Sequence, residues 1–124
     1  LLLICVFALN LSGCAIWDIY TQTKYDTNEY AQVTEVRTLA QTIKVCDEES
    51  VRKLYFATMK LNNFSQYLNG NNKVTVEMNT GLLNIVKELY EKQQPINQMY
   101  CNAKLNIVEV SAESIQKVMG TKPK

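Results

Sequence analysis

Apolar residues recur at intervals of three and four residues along most of the chain, which is the spacing of one face of an α-helix. This pattern predicts four helices, at about 27–45, 47–68, 73–93 and from 96 to 119. Each helix has a predicted stripe of core residues. In chain order, the four stripes are Tyr30, Val33, Val36, Ala40 and Ile43 in the first helix; Val51, Leu54, Tyr55, Thr58, Leu61, Phe64 and Leu68 in the second; Val74, Met78, Leu82, Ile85, Val86 and Leu89 in the third; and Met99, Tyr100, Ala103, Ile107 and Val110 in the fourth.

Two segments also alternate between apolar and polar residues in the manner of a β-strand, at 73–78 and 105–110. Between the predicted helices, Asn69 and Gly70 favour a left-handed cap after the second helix. Pro95 suits the first position of the fourth helix. The predicted fold class is therefore mainly α, a small up-down bundle of about four helices, with one or two short strands at those segments as a variant.

Residues 1–13 form an uncharged, mostly apolar stretch, as in the central region of a secretory signal peptide. It is shorter than the roughly 20 apolar residues that cross a bilayer, although an uncleaved membrane anchor is the alternative. Because no initiator Met or basic segment precedes it, we expect the signal peptide to begin further upstream. The stretch ends in Leu11, Ser12, Gly13 and Cys14, which resembles the lipobox of bacterial lipoproteins.

The lipobox resemblance implies that residues 1–13 are removed and that Cys14 carries a lipid, with acyl chains such as palmitate holding the protein on a membrane. Ala15 follows the cysteine, and in a Gram-negative host this implies the periplasmic face of the outer membrane. We expect a lipidated anchor and linker at 14–26, a helical domain at 27–119 and a flexible tail at 120–124.

Within the linker, the apolar and aromatic residues include Trp17. Such residues settle at a bilayer interface, which is one expected place for the Trp17 side chain. Packing of Trp17 onto the helical domain is the other.

The four cysteines of the chain have different predicted fates. Cys5 leaves with the signal peptide and Cys14 is used for lipid attachment, which leaves Cys46 and Cys101 in a compartment that permits disulfides. In an up-down bundle both lie at the same end, because Cys46 follows the first helix and Cys101 lies early in the fourth. A Cys46–Cys101 disulfide is therefore predicted, with two buried free thiols as the alternative.

Composition removes several kinds of chemistry. The chain has no histidine, so imidazole bases, His-dependent triads and His–metal sites are excluded. Its net charge is +1, which gives no excess of positive charge for binding nucleic acid. The acidic run Asp47-Glu48-Glu49 suits a helix amino terminus better than a cation site, because its side chains point in different directions. We expect no catalytic residue, no metal and no cofactor.

These observations favour a non-enzymatic, membrane-anchored envelope lipoprotein that presents a small helical domain to a protein partner in the envelope. A lipoprotein encoded by a phage or plasmid, acting in lysis, superinfection exclusion or entry exclusion, is the alternative. An envelope enzyme or its inhibitor is disfavoured, because the sequence contains no catalytic motif.

Overall fold

The computed structural model describes residues 24–68 and 73–122. No strand occurs in these residues, and a mainly α fold is confirmed. The four helices are α1 (Thr27–Thr42), α2 (Glu48–Leu68), α3 (Lys73–Tyr90) and α4 (Gln98–Met119).

The predicted strands at 73–78 and 105–110 are wrong, because both segments lie inside helices. In α4 the decisive residues are Leu105, Val108 and Ala112, which are all buried and share one helical face. Burial at the helical period therefore overrides the β-propensity of the alternating residues.

The helices form a ring in which each packs against the next along the chain and α4 closes against α1. Neighbouring helices of the ring run antiparallel. The hydroxyl of Thr80 on α3 donates to Oδ1 of Asn62 on α2 at 3.1 Å. Nε2 of Gln41 on α1 donates to Oε1 of Glu109 on α4 at 3.1 Å. Further along the α1–α4 side, Gln116 contacts Thr34, so residue numbers rise along one helix as they fall along the other, and the helices alternate up and down.

The core is the closed centre of this ring. The predicted stripes of α1 and α2 are confirmed at their centres, where Val33, Val36, Leu54 and Leu61 have essentially no exposed surface. The other buried hydrophobic residues are Ala40, Cys46, Val51, Ala57, Leu82, Val86, Leu89, Cys101, Leu105, Val108, Ala112, Ile115 and Met119.

Three side chains cap the starts of helices. Asp26 Oδ1 accepts a hydrogen bond from the Glu29 backbone N–H at 2.8 Å at the start of α1. Asp47 caps α2 in the same way, through the Ser50 N–H. At α4 the cap is Asn97, so the prediction that Pro95 begins this helix is wrong.

The bundle has two ends with different chemistry. At the disulfide end, where α1 and α3 finish and α2 and α4 begin, the sulfurs of Cys46 and Cys101 lie at disulfide distance, with their Cα atoms 6.3 Å apart. The predicted pairing is therefore reproduced in geometry. Gln98 supports it, since its Oε1 accepts from the Cys46 backbone N–H at 3.2 Å and its Nε2 donates to the Lys44 carbonyl at 3.2 Å.

At the opposite, amino-terminal end, where α1 and α3 begin and α2 and α4 finish, lies a buried ion pair. Lys122 Nζ is 3.4 Å from Glu29 Oε1, and both side chains are almost completely buried. Lys122 belongs to the segment predicted to be a flexible tail. That prediction does not hold at this residue, because the ion pair fixes it against the first turn of α1.

Candidate interaction surface

Helix α4 has apolar residues on two faces, and the structure buries the one that the sequence pattern did not indicate. The face that enters the core is Cys101, Leu105, Val108, Ala112, Ile115 and Met119. Of the predicted stripe, Met99, Ile107 and Val110 are instead exposed. The predicted core face of α4 is wrong, since α1 and α3, the helices that pack against it, cover only one stripe.

Part of this second face borders a groove between α3 and α4. On the α3 side, Met78 and Ile85 are partly buried, and Leu82 forms the floor. The groove has a volume of about 380 Å³ and is open to solvent. We call it the α3–α4 groove; its lining residues are Glu77, Met78, Gly81, Leu82, Ile85, Val110, Ser111, Ser114 and Ile115.

Gly81 leaves a gap in the α3 wall of the groove. It lies inside a helix with negative φ, so its backbone conformation does not require glycine. A Cβ at this position would meet no atom within 4 Å. Glycine inside a helix costs about 1 kcal/mol relative to alanine, and here it opens space for a neighbouring chain to approach α3 closely.

The groove has few charges. Glu77 is the one charged residue among its lining residues. Towards the disulfide end, Lys104 and Glu88 bridge α4 and α3 with 3.1 Å between Nζ and Oε2. The α3–α4 groove is therefore mostly apolar, with one carboxylate, that of Glu77, towards the amino-terminal end of the bundle.

The α1–α4 side of the bundle has an open groove of about 410 Å³, which is lined mostly by polar and charged residues. Arg37 Nη1 donates to Gln116 Oε1 at 2.9 Å, and Gln116 Nε2 donates to the Thr34 hydroxyl at 2.6 Å. Arg37 also lies 3.6 Å from Glu113. These contacts link α1 to α4, whereas apolar side chains remain exposed beside the α3–α4 groove.

The α2–α3 interface is partly polar near the amino-terminal end. Asn79 Nδ2 donates to the Ser65 hydroxyl at 2.8 Å, and both residues are completely buried. A buried amide that needs a particular partner favours one register between two helices. This pair therefore helps to position α3, the wall that carries Gly81.

A smaller apolar groove lies between α1 and α2, with a volume of about 320 Å³. Phe56 is its most exposed apolar residue, and Leu39 lies beside it. Lys53 and Lys60 also line this groove. Phe56 is as exposed as Val110 (52% against 53%), which makes it a matched control on another face.

Two of the sequence-predicted functional residues, Cys46 and Cys101, are brought together, and the bond closes the disulfide end. Cys14, the predicted lipidation site, lies outside the described residues, as do the signal segment and the Asn69-Gly70 cap. No helix in the described ranges is both long and apolar enough to cross a bilayer.

The acidic run at the start of α2 has a structural role. The Ser50 backbone N–H and hydroxyl hold the pKa of Asp47 below its ordinary value, because both hydrogen bonds favour the carboxylate. Among residues 24–68 and 73–122, no three His, Cys, Asp or Glu side chains lie close enough together to hold a metal ion.

No protein-family model matches the chain, and no curated protein and no solved structure matches it either. The residues missed by sequence reasoning are those of the α3–α4 groove. A usable indication was present in the sequence, because α4 carries more apolar positions than one buried stripe requires.

Proposed function

We propose that the protein is a bacterial lipoprotein, held on an envelope membrane through Cys14, whose helical domain binds a partner protein in the α3–α4 groove. The lipobox-type Leu11-Ser12-Gly13-Cys14 after an uncharged apolar stretch supports the anchor. In a Gram-negative host, Ala15 favours the outer membrane and a domain that faces the periplasm. The proposed role is binding rather than catalysis.

The observation that carries the binding role is the exposed second face of α4. Val110 is exposed and lines the groove together with the partly buried Met78 and Ile85 of α3, and Ile107 on α4 is exposed as well. Each large aliphatic side chain that becomes buried contributes about 1.5–3 kcal/mol. A partner covering this cluster thus gains enough apolar burial for a specific contact, and contiguous exposed apolar patches mark such contacts.

The shape of the groove favours an amphipathic helix as its occupant. From Glu77 to Ile85 the α3 wall extends about 12 Å, or roughly two helical turns. A helix laid in such a groove inserts side chains spaced three, four and seven residues apart. Glu77 lines the groove at its amino-terminal end, and its carboxylate favours a Lys or Arg at that end of the partner helix.

Site-specific photocrosslinking in cells that make the full-length protein tests this proposal. The photoreactive residue p-benzoylphenylalanine replaces Val110 in one strain and Phe56 in another, as the control of equal exposure. The Val110 probe is expected to yield one discrete adduct, and mass spectrometry should place the crosslink in a predicted amphipathic helix of the partner. Gly81→Leu, whose Cβ has open space and whose larger side chain would occupy the groove, should abolish the adduct.

An adduct of equal yield from the Phe56 position, or one that survives Gly81→Leu, would overturn the groove as the binding site. The anchor is tested separately by metabolic labelling with palmitate. Label is expected on the normal protein and not on Cys14→Ser, and equal labelling of both would refute lipidation at this cysteine.

A further inference from the structure

The most exposed large apolar side chains outside the groove include one at each end of the bundle. Tyr67, in the last turn of α2 at the amino-terminal end, is 89% exposed, and Leu68 beside it is also exposed. Met99, at the disulfide end, is 81% exposed. Tyrosine has an apolar ring and a polar hydroxyl, and it is enriched where a protein meets the headgroup region of a bilayer.

One segment at the amino-terminal end contains no charged residue. Residues 61–72, which include the end of α2 and lead into α3, contain no Asp, Glu, Lys or Arg. The disulfide end is densely charged; the charged residues near it are Lys44, Asp47, Glu48, Glu49, Arg52, Lys53, Lys87, Glu88, Glu91 and Lys92. Transfer of charges out of water is costly, so this uncharged segment, which carries Tyr67 and Leu68, is suited to contact with a bilayer.

The amino-terminal end also carries charged residues, such as Glu77 and Lys117, and those nearest the start of α1 are compatible with a lipid surface. Glu29 and Lys122 form a buried ion pair and present no net charge there. The Asp26 carboxylate accepts the backbone hydrogen bond that caps α1. Lys24 is an exposed cation, of the sign that anionic headgroups attract.

The chain enters the bundle at this same end. Helix α1 begins at Thr27, and twelve residues separate it from Cys14, the lipidation site of the proposed function. Because the tether joins the bundle at the end that carries Tyr67, this end already lies nearest the anchored cysteine, and the Tyr67 side chain can face the membrane. A bundle docked by its disulfide end would need the tether to run the whole length of the helices.

From these observations we infer that the amino-terminal end of the bundle rests on the phospholipid bilayer, with Tyr67 and Leu68 in the headgroup region. This inference depends on the proposed lipid anchor at Cys14. Helix α3, at 18 residues, is about 27 Å long, so the disulfide end stands roughly that far from the surface. The α3–α4 groove then runs along the membrane normal, open to a partner from the side.

Depth-dependent fluorescence quenching tests the inference. Because Trp17 is the single tryptophan of the chain, Trp17→Phe gives a silent background for the lipidated full-length protein. Tyr67→Trp and Met99→Trp then report on the two ends, from positions of similar exposure. Each variant is reconstituted into vesicles of phosphatidylethanolamine and phosphatidylglycerol, with and without phosphatidylcholine brominated near its headgroup.

The expected result is a roughly twofold loss of Tyr67→Trp emission with brominated lipid and almost no loss for Met99→Trp, since an interfacial residue lies within about 10 Å of the acyl boundary. Equal quenching of the two variants, or quenching confined to Met99→Trp, would overturn the inference. Flotation of both variants with the vesicles checks the anchor independently. If both variants float with the vesicles but are quenched equally, only the proposed orientation is refuted. If neither variant floats, the lipid anchor is refuted.

Discussion

Reduction of the Cys46–Cys101 bond is expected to lower the free energy of unfolding by about 4 kcal/mol. The two cysteines are separated by 55 positions, and the bond removes the loop-closure entropy of that segment from the unfolded chain. In the chain-entropy model a loop of this length gives about 14 cal/mol/K, or about 4 kcal/mol at 25 °C. For a domain of about 100 residues, this corresponds to a decrease in Tm of about 20 °C.

Urea unfolding followed by circular dichroism, with and without a phosphine reductant, measures this difference. Reduction is a better perturbation than substitution, because both side chains are almost fully buried and the reduced thiols still fill their places. The matched control is the Cys46→Ala/Cys101→Ala variant, whose stability should not respond to the reductant. Residual structure in the unfolded state would reduce the effect and change the dependence on urea.

A difference under about 1 kcal/mol between oxidised and reduced protein would refute the entropic reasoning. Addition of two alkyl groups, at Cys46 and Cys101, to the unfolded domain without prior reduction would refute the bond itself. The fold is expected to persist after reduction at 25 °C, because the core residues of all four helices remain buried and Gln98 still links the start of α4 to the α1–α2 turn.

Three further predictions concern single positions. Lys122→Ala should lower the free energy of unfolding by about 3 kcal/mol, because Glu29 stays buried, and Lys122→Met with Glu29→Gln should recover most of that loss in urea unfolding. Additive losses in the pair would contradict the ion-pair account. Gly81→Ala should raise the free energy of unfolding by about 1 kcal/mol, since helix propensity improves and the new Cβ meets nothing; a lower Tm would contradict it. The lowered pKa of Asp47 means that its cap stabilises the fold fully above the ordinary value of 3.8 and loses this effect as the pH falls through the folded-state pKa. Asp47→Asn should therefore flatten the acid side of the stability profile, and an unchanged profile would show that the Ser50 hydrogen bonds do not matter.

Periodicity located the helices well where a single apolar stripe is present. In α1 the stripe centred on Val33 and Val36 is buried as predicted, because its other faces are polar. At α4 the same method selected Ile107 and Val110, which are exposed, in place of Leu105 and Val108, which are buried. Two apolar stripes on one helix have the same period, and only the positions of neighbouring helices decide between them.

The Cys46–Cys101 contact could be predicted from the order and direction of the helices. Cys46 and Cys101 are distant in sequence, and their pairing followed from helix count and direction, without knowledge of side-chain packing. The Glu29–Lys122 pair had no comparable indication. A lysine beyond the last helix is usually solvated, and its burial depends on where α4 ends relative to the first turn of α1.

Local residues thus determined the helices, their acidic caps and the pairing of the cysteines, because these depend on period, hydrogen-bonding side chains and chain direction. Tertiary structure decided which face of α4 is buried, where the groove opens and how Lys122 is held. Those outcomes depend on how four helices share one core: the ring has room for only one apolar face of each helix, and an extra face is left at the surface.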